Sequence, residues 1–236
     1  PKTLKSLEAA LKYFSVGVLS ASFLLYGTFF FFYLHETTSF FAGPSKLYVL
    51  PTQFGMVALC IFLVAAFFIK LGIAPFHYWV ADVYEGSPAI VTVFLSVVIK
   101  VVMFILFMKV LALPLADCAL LSRPLLIFAS GLSIVIGCFG ALFQKRIKRL
   151  LAYSSINNAG YGLAGLAVGN VDGFQAGLSY IVFYCFSLLL FFIIILNCKS
   201  GDKPGITYIV DLKNLKSNNN LLVPVMCTIT LFSFAG

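Results

Sequence analysis

Charge is scarce in this chain. Of 236 residues, ten per cent are Asp, Glu, Lys or Arg, and only 8 are acidic. Soluble domains carry about a quarter charged residues, so an ordinary water-facing surface is excluded. There are only two histidines, His35 and His77, and neither stands at metal-ligand spacing from a cysteine. The six cysteines, Cys60, Cys118, Cys138, Cys185, Cys198 and Cys227, are scattered without a C-x-x-C. Most lie in apolar sequence, where a free thiol packs as a small hydrophobe, so neither a disulfide framework nor a metal site is expected. No iron–sulfur cysteine framework and no nucleotide-binding loop is apparent, so electron transfer is not expected of this chain.

What the chain has is hydrophobic length. Sixty-one per cent of its residues are hydrophobic and its mean hydropathy is +1.05. Apolar runs repeatedly reach the roughly 20 residues that a bilayer-spanning helix needs. The expected class is all-α, a polytopic transmembrane helical bundle forming one membrane domain over residues 1–236. Six complete spans are expected at 8–34, 54–81, 90–113, 120–143, 150–168 and 174–196, with an incomplete one at 221–236. Turn chemistry separates them at Ala42-Gly43-Pro44, Glu85-Gly86-Ser87-Pro88, Asn170-Val171-Asp172-Gly173 and Ser200-Gly201-Asp202-Lys203-Pro204. No signal peptide precedes the first span, and the start on Pro1 leads us to expect a processed product or a fragment.

The net charge of +8 follows from topology. One side of the expected bundle receives Lys2, Lys5, Lys145, Arg146, Lys148, Arg149, Lys199, Lys203, Lys213 and Lys216; the other receives Lys46 and Arg123. Basic residues concentrate on the non-translocated side. The N-terminus and the 145–149 loop are therefore expected on the cytoplasmic or matrix side, and no nucleic-acid partner is called for.

Four lysines fall within spans, and two of them stand out. Lys70 and Lys100 lie 15 residues on either side of Glu85, the centre of a polar turn. Antiparallel helices flanking that turn place both ammonium groups at one depth, near the bilayer centre. Each costs at least about 2.5–3.5 kcal/mol there, which points to an ion pathway. Pro75 cannot donate to the carbonyl four residues back, that of Leu71, and Gly72 adds local freedom, so a broken helix is expected beside Lys70. Unwound backbone at this depth is tolerated inside protein or along a watery cavity. His77 titrates near neutral pH and follows the break. Lys12 stands one turn from Glu8, where an i,i+4 ion pair competes with a relay role. Glu8 suits a helix N-terminus, and Lys109 is placed to snorkel to the interface.

Lys70-Leu71-Gly72-Ile73-Ala74-Pro75-Phe76-His77-Tyr78-Trp79 and the following Asp82-Val83-Tyr84-Glu85-Gly86-Ser87-Pro88 resemble the signature of the chain N, or subunit 2, family of NADH–quinone oxidoreductases. Ser6 to Tyr13 is similar to the start of that family's sixth helix, and Lys100 falls at the distance of its eighth-helix lysine. Gln144 followed by Ile147-Lys148-Arg149-Leu150-Leu151-Ala152-Tyr153-Ser154-Ser155-Ile156 resembles the loop into its tenth helix. The resemblance covers essentially the whole chain. It implies an antiporter-like, inverted-repeat fold, here partial, from the sixth helix to the start of the twelfth.

The resemblance further implies a proton-translocating subunit of the membrane arm of respiratory complex I. Lys70 and Lys100 would be its proton relay, with Lys12 and His77 as weaker candidates and Gly72 and Pro75 as the helix break. Burial disfavours a charged amine and a nearby carboxylate restores it, so moving that carboxylate switches the amine between holding and releasing a proton. The family's fifth-helix glutamate is not on this chain, and a separate polypeptide is expected to supply it. The family's tenth-helix histidine position is Asn158, which cannot carry a proton; Tyr153, Ser154, Ser155, Asn157, Tyr180 and Tyr184 are candidate polar liners. No cofactor is expected on this chain, with NADH, FMN, iron–sulfur clusters and ubiquinone on other subunits. Other membrane-arm subunits and the lipid bilayer are the expected partners, and the mitochondrial inner membrane the expected site. Twenty-six Phe against one Trp fits the codon bias of an AT-rich organelle genome, as well as lipid-facing packing. Two rival readings remain: a subunit of a multisubunit cation/proton antiporter, and a non-pumping scaffold segment of the membrane arm.

Overall fold

The computed structural model describes residues 4–35, 39, 53–116, 118–197, 199, 200, 203, 204, 207–211 and 222–233. The Ala42–Pro51 loop, Cys198 and the basic residues Lys2, Lys46, Lys213 and Lys216 lie outside that set. The helices are α1 (Leu4–His35), α2 (Gln53–Leu71), α3 (Tyr78–Gly86), α4 (Ala89–Val93), a π-helical turn (Phe94–Val98), α5 (Ile99–Ala112), α6 (Ala119–Leu142), α7 (Ile147–Val168), α8 (Val171–Asn197) and α9 (Leu222–Ser233). α4, the π turn and α5 run on as one 24-residue apolar helix. Among the described residues, strands are confined to a two-residue antiparallel pair, Lys199–Ser200 with Lys203–Pro204.

Five of these helices are long and apolar enough to cross a membrane. α7 is not among them, because it carries Tyr153, Ser154, Ser155, Asn157 and Asn158. It can afford them because neighbours cover it: α6 and α8 pack along it and α3 crosses one end. Ser155, Ile156, Asn158 and Ala159 are each about 1% exposed. Small residues permit the close approach, as is usual between membrane helices. A Cβ on Gly165 would stand 2.9 Å from the Gly177 backbone of α8, and one on Gly137 of α6 only 2.7 Å from the Asn157 amide. Gly160-Tyr161-Gly162-Leu163-Ala164-Gly165 also spells the G-x-G-x-x-G of nucleotide-binding loops, a match the sequence reading overlooked. The segment is helical throughout, inside α7, so its glycines serve packing and cradle no phosphate.

The expected single span 54–81 is two helices with a break between them. Pro75 is not what stops α2. The helix ends at Leu71, and Gly72 takes a left-handed conformation with φ of 69°. Ile73 N–H then donates to the Phe68 carbonyl at 3.0 Å and Gly72 N–H to that of Ile69 at 3.3 Å. This is a Schellman-type stop, which needs glycine at the left-handed position. A Cβ on Gly72 would also collide with Val80. Pro75, after a cis Ala74–Pro75 bond, lies in the connection. Other groups of the break are satisfied by side chains: Ala74 N–H donates to Ser133 Oγ of α6 at 2.9 Å, and Trp79 Nε1 donates to the Ile69 carbonyl at 3.0 Å.

One end of the bundle gathers the start of α1, the end of α3, the 145–149 loop and the segment after α8. Ile147 N–H donates to the Thr207 carbonyl and Ile209 N–H to that of Lys145, both at 3.1 Å. Arg123, on the side expected to be poor in charge, lies against Gly169 at the junction of α7 and α8.

Candidate functional site

Lys100 opens α5 directly after the π turn and is only 4% exposed. Its Nζ donates to the Ser155 carbonyl and, at 2.7 Å, to Ser155 Oγ. The Tyr184 ring of α8 lies 5.8 Å from the same ammonium, a cation–π arrangement. Tyr84 and Tyr184 are buried as well, at 3% and 4% exposure. Among the described residues no carboxylate forms an ion pair with Lys100. The polar groups continue along α7: Asn158 Nδ2 donates to the Ser154 carbonyl at 2.8 Å, and Tyr180 OH donates to Asn158 Oδ1 at 2.6 Å. Lys100 thus lies beside a polar stretch of α7 that is bonded to α8 through Tyr180.

Lys70 ends α2, half-buried, and points at α1, where a Cβ on Gly17 would be 3.9 Å from Nζ. A cavity of about 20 Å³ lies beside it, lined by Tyr13, Gly17, Trp79, Leu95 and Ile99 among others. Such a space holds about one water. Ile99 of that lining precedes Lys100 in α5, so the two lysines are near one another in the fold. They do not share surroundings: Lys70 looks toward α1 and α3, while Lys100 looks toward α7 and α8. The expected hand-over between them therefore has to pass the α4–α5 helix.

Lys12 belongs elsewhere. Its Nζ meets Glu8 at 2.6 Å and Asp82 at 2.5 Å. Asp82 also takes Arg149 at 2.9 Å, while Glu85 pairs with Lys5 at 3.4 Å, with Arg149 at 2.9 Å and with Arg146. Glu8 is thereby a pair partner inside α1 rather than a first-turn residue. The network encloses a cleft of about 550 Å³ at the charged end, and ties α3 to α1 and α7. Burial works against the Asp82 carboxylate, but hydrogen bonds from Lys12 and Arg149 outweigh it and hold its carboxyl below the ordinary 3.8. His77 sits at the N-cap of α3 without a capping bond from its side chain. Among the described residues no hydrogen bond joins it to Lys70 or Lys100. Lys109 is exposed at the edge of an apolar groove with Leu24, Phe67 and Pro114.

Sequence reasoning had no role for Asp82, Tyr84, Thr92 or Ser96, nor for the π turn. A signal existed for Asp82 and Glu85: three residues apart on a helix, they share a face. None existed for the π turn, whose sequence Phe94-Leu95-Ser96-Val97-Val98 reads as ordinary apolar helix.

The whole chain, residues 1–236, matches the family described as NADH:quinone oxidoreductase/Mrp antiporter, transmembrane. The chain belongs to this family. It is 37% identical over 233 residues to NADH-quinone oxidoreductase subunit N of Pelagibacter ubique, covering 99% of this chain and 49% of that protein. Among solved structures, respiratory complex I from Thermus thermophilus aligns at a TM-score of 0.65 and 27% identity, over 99% of this chain and 58% of the matched one. The Mrp complex from a Dietzia species aligns at 0.74 and 16% identity, over 99% and 50%, a likeness of fold alone. The chain therefore spans about half the length of the curated relatives it matches. The antiporter-like membrane fold with its broken helix, expected from sequence, is the fold observed.

Proposed function

We propose that this chain forms part of a proton-translocating, antiporter-like subunit of the membrane arm of respiratory complex I, with Lys70 and Lys100 as its proton carriers. One observation carries the reading: a lysine buried at membrane depth, held by Ser155 and the Tyr184 face instead of a carboxylate. A permanent structural cation at this depth would call for a counter-charge, whereas a proton carrier needs acceptors at hand and a charge that comes and goes. Hydrogen-bonded hydroxyls and water take the proton on from Lys100 along α7. Lys70, beside the broken helix and its water-sized cavity, responds to a carboxylate supplied by a neighbouring polypeptide.

The redox chemistry belongs to other subunits in this reading. NADH, flavin, iron–sulfur clusters and quinone are assigned to those subunits. The partners are further membrane-arm subunits and lipid. The membrane is the mitochondrial inner membrane, with the Lys145–Arg149 end on the matrix side, as the concentration of basic residues there supports.

Lys100→Met tests the assignment in the assembled complex. Methionine keeps the length and apolar stem while removing the charge and its desolvation cost, so assembly is expected to be at least as good as in the parent. Protons moved per NADH oxidised should fall. An unchanged proton stoichiometry in both Lys100→Met and Lys70→Met would leave a scaffold role and remove the relay.

A further inference from the structure

We propose that the buried hydroxyls of Thr92 and Ser96, reached through Ser87, form the route by which protons come to Lys100 from the charged end of the bundle. The inference rests on the reading of Lys100 as a proton carrier and adds the residues that load it. Between Ala89 and Ala112 the helix holds four polar residues, Thr92, Ser96, Lys100 and Lys109. The first three recur at intervals of four, which on a helix is one face. That face is turned inward: Thr92 and Ser96 are 0% exposed and Lys100 only 4%.

The hydroxyls are joined to the charged end. Lys148 Nζ donates to the Ser87 carbonyl at 2.6 Å. The Ser87 and Thr92 hydroxyls are 2.9 Å apart, and Thr92 Oγ1 also reaches the Pro88 carbonyl at 3.0 Å and the Tyr84 carbonyl at 3.3 Å. Ser96, one turn on, lies in the π turn and reaches the Val93 carbonyl at 3.1 Å. A π turn inserts one residue into the helical ladder, and such insertions concentrate at functional sites. Here it falls between Thr92 and Lys100. Back-bonding of a hydroxyl to its own helix explains how serine and threonine are tolerated in an apolar helix. It does not explain why both stand on the face of the buried Lys100.

The step is balanced without any other reactant. A hydroxyl or intervening water accepts a proton on a lone pair, releases the one it held toward Lys100, and turns back to its starting orientation. The Lys100 amine, having passed its proton on toward Ser155 and water, takes the arriving one.

The test uses the assembled complex in sealed vesicles with Thr92→Val, Ser96→Ala, Thr92→Ser and Lys100→Met. Valine matches the shape of threonine and removes the hydroxyl. Protons moved per NADH, quinone-linked turnover in H₂O and D₂O, NADH oxidation by an artificial acceptor, and the amount of assembled complex are measured. Thr92→Val and Ser96→Ala are expected to slow coupled turnover severalfold and raise its solvent isotope effect. Thr92→Ser should restore the parent rate, and artificial-acceptor activity should not change. A merely structural threonine would lower the amount of complex while leaving turnover per complex and the isotope effect alone, and that result overturns the route. Should Thr92→Val fail to assemble, Ser96→Ala decides by the same measures. Parent-like pumping in both hydroxyl variants, with Lys100→Met impaired, refutes the route while the relay stands. Normal pumping in Lys100→Met removes both.

Discussion

Gly165 offers a strict trial of the packing that holds the polar stretch of α7 in place. A Cβ there would lie 2.9 Å from both Gly177 N and Cα and 3.0 Å from the Gly173 carbonyl oxygen. All three are backbone atoms of α8, so no rotamer change relieves them. Ordinary contact begins at 3.4 Å, so even alanine requires the helices to part by about 0.5 Å, the difference between 3.4 and 2.9. Gly165→Val adds two methyl groups to that conflict. Overpacking of this kind costs about 1–3 kcal/mol, and the better helix propensity of valine returns only about half a kcal/mol.

The net loss expected is therefore about 0.5–2.5 kcal/mol. Gly131→Val is the control, because nothing lies within 4 Å of a Cβ at Gly131 on the exposed face of α6. The assay is recovery of intact complex on native gels after graded heating. Gly165→Val should disassemble at lower temperature and, by parting α7 from α8, weaken the 2.6 Å bond between Tyr180 and Asn158. Gly131→Val should match the parent. Equal heat resistance of the two variants would refute the close α7–α8 contact.

Asp82→Asn should loosen the junction of α3 with α1 and α7, with a smaller heat effect than Gly165→Val, since the paired groups are a third or more exposed and such pairs are weak. The carboxyl of Asp82 is held below its ordinary 3.8 in the folded chain, so its stabilisation is present above about pH 4 and lost as pH falls below that. Heat resistance of the parent should fall on acidification through this range, and Asp82→Asn should flatten that part of the pH profile; a profile unchanged by the substitution would count against the network. Cysteines placed at Lys145 and Arg123 should be labelled by impermeant reagents from opposite faces of the membrane, Lys145 from the matrix side. Labelling of Lys145 from the other face would overturn the orientation.

Most of the apolar helices were legible because their runs are long, but the run at 54–81 divides into α2 and α3, and α7 is too polar to count among the candidate spans. The break beside Lys70 was legible too, but its cause was not. Proline is the stronger breaker in isolation, yet Gly72 comes first and its left-handed conformation closes α2 before Pro75 is reached. Counting from Glu85 assumes that both flanking stretches rise at the same rate, whereas the backbone between Lys70 and Glu85 is broken at Gly72 and that between Glu85 and Lys100 holds the π turn. What counting cannot deliver is rotation: whether Lys70 and Lys100 face each other depends on side-chain directions around two axes and on the π turn. Lys12 misled for a different reason. Its intrahelical partner Glu8 was visible, but Asp82, 70 residues away, becomes its neighbour only when α3 crosses α1.

The two irregular stretches of backbone are the key to how this bundle carries charge. Each adjoins one of the deep lysines: the stop at Gly72 follows Lys70 by two residues, and the π turn ends two residues before Lys100. In hydrocarbon every unpaired backbone group is costly, so irregularity survives only where protein supplies replacements. Here Ser133 and Trp79 supply them at the first break, while the hydroxyls of Thr92 and Ser96 accompany the second. The same requirement accounts for α7. A helix covered by α6, α8 and α3 can hold Ser155 and Asn158, which a lipid-facing helix could not, and Lys100 finds its acceptors there. Exchanging Ser155 for alanine should then remove the Oγ that receives Lys100 at 2.7 Å, while the Ser155 carbonyl remains to hold the ammonium.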